Sequence, residues 1–281
     1  MTQIRVMKKT IILICLFVFT ISRMVDAQEL VKVWETPPVL KTPESVIYCP
    51  VSDLIYVANI NGNASEKDGN GFISILTTTG EVKNLEWVAG MHAPKGMGIH
   101  EGKLYVADID QLVEIDMKAG KIIKRHDAPG AQFLNDVTTC PNGVVFVTDM
   151  VRKKIHRLKD GVLSEWFSSD DFNRPNGLFA EQSRLYVGDH HIFEIDIATK
   201  EMKLVISDAG GVDGLEKTEK GEWIFSHWAG RVFLHTGGKT VKLMDTSEQN
   251  INSADVDYAV KLQLLIVPTF MDNRVVAYKI Q

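Results

Sequence analysis

Six copies of one short sequence pattern each place a residue at an equivalent position, and four of these six residues carry a side-chain oxygen. The six are Glu44, Lys95, Asn135, Asn176, Asp213 and Ala254. In each copy an alternating apolar run ends 13 to 15 positions further on. Two carboxylates and two amide carbonyls that meet on one axis would offer the oxygen ligands preferred by hard divalent cations. The alternative is a water-filled channel that tolerates polar side chains without binding a metal.

The apolar runs that must position these side chains recur at similar intervals. Their last residues are 49, 41, 40, 38 and 42 positions apart. The first interval is lengthened by residues 61–71, a Gly- and Asn-rich segment typical of an exposed loop. A third alternating stretch and a fourth short one follow, as at residues 111–116 and 121–123. Alternation of this kind, bounded by turn-forming residues, predicts strands joined in hairpins.

Six units of four strands, each of about 40 residues, predict an all-β fold, namely a six-bladed β-propeller with four-stranded blades. The last unit ends near residue 280 without a fourth strand, whereas residues 30–34 alternate ahead of the first unit. We therefore expect the N-terminal strand to close the last blade. Residues 28–281 would then form a single domain, because removing any blade would open the ring.

Residues 1–27 resemble an export signal in composition. Lys8 and Lys9 precede an apolar run at residues 11–21, and small residues surround a possible cleavage point after Ala27. The run is shorter than the roughly 20 apolar residues that span a bilayer. The sequence predicts a signal peptide at 1–27 and a secreted protein, which would be periplasmic if the source is a Gram-negative bacterium. The alternative is an uncleaved membrane anchor.

Charge and cysteine content narrow the classes of partner and site. The 281 residues carry a net charge of −5, and residues 1–27 contribute +3, so the remainder carries −8. An acidic chain without a basic run argues against a nucleic-acid partner, and we expect no membrane association after signal cleavage.

Cys49 and Cys140 fall at the same place in the first and third repeats. A disulfide needs Cα atoms within about 7 Å, so we expect two free, buried thiols.

The order and spacing of four motifs carry a resemblance to a known family. The motifs are Pro43-Glu44, Asn135-Asp136, Pro175-Asn176-Gly177-Leu178 and Asp213-Gly214-Leu215. They are similar to those of the gluconolactonase, senescence-marker-protein and luciferin-regenerating-enzyme family. The resemblance implies a six-bladed propeller with one divalent metal in its channel. It also implies that Glu44, Asn176 and Asp213 bind the metal, and that Asn135 is a fourth ligand or a substrate contact.

Two positions depart from the family pattern. Members often have Glu-Gly-Pro at the first motif, whereas this chain has Glu44 followed by Ser45. Lys95 adds a cation to the ring. It could bind a substrate carboxylate or phosphate, or stabilise an oxyanion, or weaken metal binding by repulsion. An ion pair of Lys95 with Glu44 or Asp213 would make the site metal-free.

The resemblance and the ring together predict a secreted, metal-dependent hydrolase of a sugar lactone or similar small ester. One divalent ion, Ca²⁺ or alternatively Zn²⁺ or Mn²⁺, would polarise the carbonyl and activate water. Asp213 or Asp255 would accept the water proton. The residues expected to contact the substrate are Lys95, Asn135, His92 and His227. The alternative function is a non-catalytic propeller that binds a carbohydrate or protein partner.

Overall fold

The computed structural model describes residues 28–281, which form six four-stranded antiparallel sheets. The innermost strands of successive sheets contact one another in order, and the innermost strand of the last sheet contacts that of the first. The sheets are therefore the blades of a closed six-bladed propeller, as the sequence predicts. No α-helix occurs among these residues, and there are two short 3-10 helices, Ser247–Gln249 and Phe270–Asp272.

In blades 1 to 5 the strands run outward from the channel in chain order, whereas the outermost strand of blade 6 comes from the N-terminus. Blade 1 contains β2 (Pro43–Cys49), β3 (Leu54–Asn59), β4 (Gly71–Thr77) and β5 (Val82–Met91). Blade 2 contains β6 (Pro94–His100), β7 (Lys103–Asp108), β8 (Gln111–Asp116) and β9 (Lys121–Asp127). Blade 3 contains β10 (Leu134–Thr139), β11 (Val145–Asp149), β12 (Lys154–Lys159) and β13 (Val162–Ser168). Blade 4 contains β14 (Leu178–Ala180), β15 (Arg184–Gly188), β16 (Ile192–Asp196) and β17 (Met202–Ile206). Blade 5 contains β18 (Leu215–Lys217), β19 (Trp223–His227), β20 (Arg231–Thr236) and β21 (Lys239–Asp245). Blade 6 contains β22 (Asp257–Ala259), β23 (Leu264–Pro268), β24 (Val275–Ile280) and, from the N-terminus, β1 (Leu30–Glu35).

Blade 6 is completed by the two ends of the domain, which confirms the predicted closure. β1 pairs antiparallel with β24, from Leu30 opposite Ile280 to Glu35 opposite Val276. The pairing satisfies backbone groups that β24 would otherwise leave unpaired at the edge of the sheet.

The core lies between neighbouring blades, where the alternating side chains of two sheets meet. Between blades 6 and 1, for example, Ile266 and Ala277 pack in one cluster with Val57 and Leu76. Each fully buried side chain of this size contributes about 1.5–3 kcal/mol relative to exposure. This packing fixes the distance between blades and therefore the width of the channel.

Cys49 and Cys140 are both buried and free, as predicted. Burial raises the pKa of the Cys140 thiol to about 11. Across the described part of the chain, no helix has the length and apolar character needed to cross a membrane. The predicted signal peptide at 1–27 lies outside the described residues.

Candidate functional site

The residues of the predicted ring sit where the innermost strands are irregular. In blade 3 the ladder passes from Leu134 opposite Asp149 to Val137 opposite Val147, so Asn135 and its neighbour are skipped. Glu44 and Lys95 fall in equivalent register shifts of β2 and β6. In blades 4 and 5 the innermost strand begins only after the ring residue. Bulges of this kind re-aim a side chain away from the sheet.

Aspartates at the ends of the second strands fix the loops that lead into the ring. The Asp108 carboxylate accepts hydrogen bonds from the backbone N–H groups of His92 and Ala93, at 2.9 and 2.8 Å. Asp149 and Asp189 accept backbone N–H groups from the equivalent loops of blades 3 and 4. These carboxylates therefore serve the backbone, and they hold the ring residues in place.

Five of the six ring residues line one cavity of about 480 Å³ at one end of the channel, which we call the ring cavity. The five are Glu44, Lys95, Asn135, Asn176 and Asp213. All of them are buried. Its apolar walls include Phe133, Trp228 and Phe270. The cavity thus combines a polar floor with aromatic walls, and its size suits a small-molecule ligand.

Glu44 and Asp213, two of the three carboxylates that line the ring cavity, have fewer partners than buried charge normally has. Oε2 of Glu44 is buried and has no hydrogen-bond partner within the described residues. Oδ1 of Asp213 accepts a hydrogen bond from Nδ2 of Asn176 at 2.6 Å. Burial raises the pKa of Glu44 well above its usual range, and the charges of Asp213 and Asp255 add to the rise. Burial also raises the pKa of Asp213 to about 7, against the opposing effect of Asn176. A bound cation would remove this cost, because an opposite charge favours the ionised carboxylates.

Lys95 is 1% exposed, and it is not paired with a carboxylate anywhere in the described residues. Its Nζ donates a hydrogen bond to the carbonyl oxygen of Ala93 at 2.9 Å and lies 4.5 Å from the centroid of the Phe133 ring. Burial lowers the pKa of Lys95 to about 8, although the nearby charges of Glu44 and Asp108 act in the opposite direction. The ammonium therefore leaves both ring carboxylates free.

The donor set of the ring cavity fits a hard cation by its chemistry. Nδ2 of Asn135 faces only the sulfur of Met150, at 3.8 Å, and no donor among the described residues is hydrogen-bonded to its side-chain oxygen. Within residues 28–281, no three His, Cys, Asp or Glu side chains converge in a way that could hold a metal ion. A metal in this cavity would consequently depend on two carboxylates and on amide oxygens.

Three of the predicted site residues do not line the ring cavity. Asp255 faces the opposite end of the channel, where its Oδ2 accepts a hydrogen bond from Oγ of Ser45 at 2.6 Å. Nδ1 of His92 accepts the backbone N–H of Gly69 at 3.1 Å. His227 contacts the backbone oxygen of Ala209 through Nε2, at 2.5 Å. The two histidines fix loops at the rim, and Asp213 remains as the candidate base inside the cavity.

Arg174, His190 and Trp228 line the ring cavity without having been assigned a role in it from sequence. Arg174 and His190 are exposed at its mouth on blade 4, and Trp228 is 47% exposed near Phe270. Their positions in the sequence could have indicated this location. Arg174 lies two positions before Asn176, and His190 directly follows Asp189, whose carboxylate is held by backbone N–H groups.

The opposite end of the channel holds a second cavity of about 720 Å³, which we call the far cavity. The carboxylates that line it are Glu101, Asp136, Glu216, Asp255 and Asp257. The innermost strands come very close between the two cavities. A Cβ on Gly96 would lie 2.5 Å from the Cα of Asp136, and a Cβ on Gly214 would lie 2.4 Å from the backbone nitrogen of Val256. Glycine is therefore required at this waist.

Comparison with known proteins places the fold among characterised propellers. No family model matches the chain, and no curated protein matches it. A solved structure assigned as a gluconolactonase aligns with a TM-score of 0.66 at 16% identity, covering 91% of this chain and 93% of that chain. A streptogramin B lyase aligns with a TM-score of 0.65 at 13% identity, covering 90% and 98%. A catalytically inactive virginiamycin B lyase from Staphylococcus aureus, with quinupristin, aligns with a TM-score of 0.59 at 11% identity and the same coverage.

These likenesses extend over nine-tenths of the chain. At such low identity they establish a shared architecture, and the residues of the ring cavity must carry the argument about chemistry. The chain has the propeller fold of a protein assigned as a gluconolactonase, as the motif resemblance implies.

Proposed function

We propose that the protein is a metal-dependent hydrolase that opens a lactone or a similar small ester in the ring cavity. The observation that carries the proposal is the buried, unpartnered Oε2 of Glu44 beside a second raised-pKa carboxylate, Asp213. Buried carboxylates without partners are costly, and a divalent cation would offset that cost. The fold shared with a protein assigned as a gluconolactonase supports the same reaction class.

Glu44, Asn176 and Asp213 are the residues that would hold the metal, with Asn135 as a fourth ligand or a substrate contact. When bound, a divalent ion such as Ca²⁺, Zn²⁺ or Mn²⁺ supplies Lewis-acid polarisation of the ester carbonyl and lowers the pKa of a coordinated water. The amide of Asn176 must then turn its oxygen, instead of Nδ2, toward the cation, and this exchange is open to any asparagine side chain.

The chain's own side chains supply the remaining steps. Asp213 accepts the proton of the attacking water, because its Oδ1 accepts only the Asn176 amide and no described backbone N–H group donates to the carboxylate. The carboxylate of Asp189 cannot do so readily, since backbone N–H groups occupy it. Asn135 orients the substrate, and the aromatic walls exclude bulk water from the reacting carbonyl.

Metal analysis followed by a lactone screen tests the proposal. Purified protein should contain, or bind, about one divalent ion, and a pH indicator should report lactone hydrolysis that a chelator abolishes. Asp213→Ala should remove at least about 100-fold of the activity, since loss of even a residue that only supports a ligand costs about 10–100-fold. Asp160→Asn, a change in an exposed turn, is the matched control and should leave activity intact. Full activity in Asp213→Ala, or a protein that gains nothing from any divalent ion, would refute the proposal.

A second candidate function is a non-catalytic propeller that binds a carbohydrate. Trp228, 47% exposed at the mouth of the ring cavity, favours it because sugar rings stack on exposed aromatic faces. Calorimetry with sugars in the absence of divalent ions separates the two. Metal-independent binding without turnover of any lactone would support the binding module and count against the hydrolase.

A further inference from the structure

We propose that Lys95 is a specificity-determining residue that binds a carboxylate on the substrate, so that the preferred substrates are lactones or esters bearing a separate ionised carboxyl group. The inference rests on the proposed function, because it names the substrate class of the same cavity.

Lys95 is buried, and no described residue supplies it with a counter-ion. Its side chain is 1% exposed, and within the described residues no carboxylate pairs with it. Of its three N–H donors, one reaches the carbonyl oxygen of Ala93, and the ammonium also lies over the face of Phe133. A buried charge costs several kcal/mol unless an opposite charge or further hydrogen bonds compensate it. An anionic ligand in the cavity supplies both.

The net charge of the ring cavity also favours a ligand with a single carboxylate. Its lining carries three carboxylates, Glu44, Asp189 and Asp213, and two side-chain cations, Lys95 and Arg174. With one divalent ion bound, the three negative charges face four positive ones. The loaded cavity therefore has one positive charge in excess. A single carboxylate balances it, whereas a phosphate dianion would leave the cavity negative.

Lys95 and Arg174, the two side-chain cations of the lining, differ in their exposure to solvent. Arg174 adds to the charge of the cavity, but it is exposed at the mouth, where water and salt weaken any single contact that it makes. Lys95 is buried at the floor with its ammonium over the ring of the partly buried Phe133, and a charge-assisted hydrogen bond is stronger there. The discrimination between anionic and neutral substrates should therefore depend mainly on Lys95.

Two five-membered lactones test the inference directly, because glucarolactone carries a carboxylate where gluconolactone carries a hydroxymethyl group. The metal-loaded wild-type protein should hydrolyse glucarolactone with the higher kcat/KM, by about 10-fold or more, since a hydrogen bond to a charged group contributes about 1.5–3 kcal/mol. Lys95→Met should lower this preference about 10- to 100-fold, and Lys95→Arg, which keeps the charge, should retain part of it. Lys103→Met is the matched control, because it removes a lysine of the same blade that lies outside the ring cavity.

Binding of a ligand that cannot be hydrolysed tests the inference independently of lactone turnover. Tetrahydrofuroate, a ring ether with a carboxylate, should bind wild-type protein about 10-fold more tightly than tetrahydrofurfuryl alcohol in calorimetry, and Lys95→Met should remove the difference. Lactone hydrolysis without any preference for the anionic partner, or a preference that survives in Lys95→Met, would overturn the inference and leave the proposed function standing. Lys95-dependent carboxylate binding with no hydrolysis of either lactone would do the reverse. Equal binding of both ring ethers by wild-type protein also counts against the inference, whether or not Lys95→Met folds.

Discussion

The two cavities at the ends of the channel are both rich in carboxylates, yet they use them differently. In the far cavity each hydrogen-bonded carboxylate joins neighbouring blades. Asp136 of blade 3 accepts the backbone N–H of Leu178 in blade 4 at 2.5 Å. Asp257 of blade 6 accepts the backbone N–H of Tyr48 in blade 1 at 2.8 Å. In the ring cavity, Oε2 of Glu44 has no hydrogen-bond partner among residues 28–281.

This difference shows that the number of buried acids does not by itself identify a site. Carboxylates that receive backbone N–H or hydroxyl donors are part of the scaffold, since those donors stabilise them in place. A carboxylate left unpaired in a cavity retains the capacity to bind something else. The contrast predicts that substitutions in the ring cavity change ligand binding, whereas those in the far cavity change the free energy of unfolding.

The largest expected effect comes from removing the unpaired carboxylate. Glu44→Gln should weaken divalent-metal affinity and lower lactonase kcat/KM by at least about 100-fold, because it deletes a ligand charge while leaving the blade contacts intact. Asp257→Ala is the paired change in the far cavity, because it removes the acceptor of the Tyr48 backbone N–H. It should leave metal affinity within a few-fold of wild type and lower the midpoint of urea unfolding. Metal titration and urea unfolding of both variants check the contrast, and equal loss of metal affinity in the two would break it.

The waist between the cavities should be sensitive to volume. Gly96→Ala should lower the free energy of unfolding by about 1–3 kcal/mol, because the added methyl meets the backbone of Asp136 and cannot be relieved by a rotamer change. In Gly98→Ala the methyl meets side-chain methyl groups of Thr139 and Val137 instead, which can shift. The second variant should therefore lose less. Urea unfolding measures both, and a reversed order would show that the waist is not rigid.

A smaller loss of stability is expected from removing one hydrogen bond that joins two blades at the far cavity. Ser45→Ala removes the hydroxyl that donates to Asp255 across the junction of blades 6 and 1. The free energy of unfolding should fall by about 1 kcal/mol, the usual value of a hydrogen bond, with metal affinity unchanged. A large loss of metal affinity in Ser45→Ala would mean that the two cavities are not separate in function.

The smallest change expected is a pH dependence of the free energy of unfolding, to which the carboxyl groups of the far cavity contribute. Burial raises the pKa of Asp257 to about 7, and burial together with the charges of Asp257 and Asp255 raises that of Glu216 well above its usual range. The folded protein therefore keeps protons that the unfolded chain releases near pH 4. This contribution to stability is complete below about pH 4 and is lost as pH rises through about 7.

Urea midpoints measured between about pH 4 and 8 should consequently decline with rising pH. Asp257→Asn should flatten that decline, because its side chain does not titrate. Adding a divalent ion should flatten only the part of the decline that comes from Glu44 and Asp213 of the ring cavity, and it should leave the part that Asp257→Asn removes. A midpoint that rises over this range would contradict the assignment of these raised pKa values.

Most of the architecture could be predicted from the sequence because every blade of a propeller repeats the same pattern of alternating apolar residues. The alternation that ends at Asp108, Asp149 and Asp189 marks the second strand of each blade, and the interval between copies gives the blade number. Even the closing strand was predictable, because the last repeat is one strand short and residues 30–34 alternate. The meeting of Glu44, Asn176 and Asp213 in one cavity follows from the same register.

What could not be predicted depends on single-residue changes of direction. Asp255 follows the ring residue Ala254, and a shift of one position is enough to aim a side chain at the other end of the channel. His92 and His227 lie close to the ring in sequence, yet their ring nitrogens are used by loop backbone. Local hydrogen bonds of that kind leave no periodic signal. The metal, the secretion signal at 1–27 and the lactone substrate stay predictions.

The strand pairing that completes blade 6 also constrains how the protein is made. β1 is the first strand of the domain to be synthesised and β24 the last, and the ladder from Leu30 to Glu35 exists only when both are present. A ribosome that has delivered five blades has therefore delivered an open ring whose ends are still free. Such a long-range closure slows folding, and it makes the finished domain depend on its final six-residue strand.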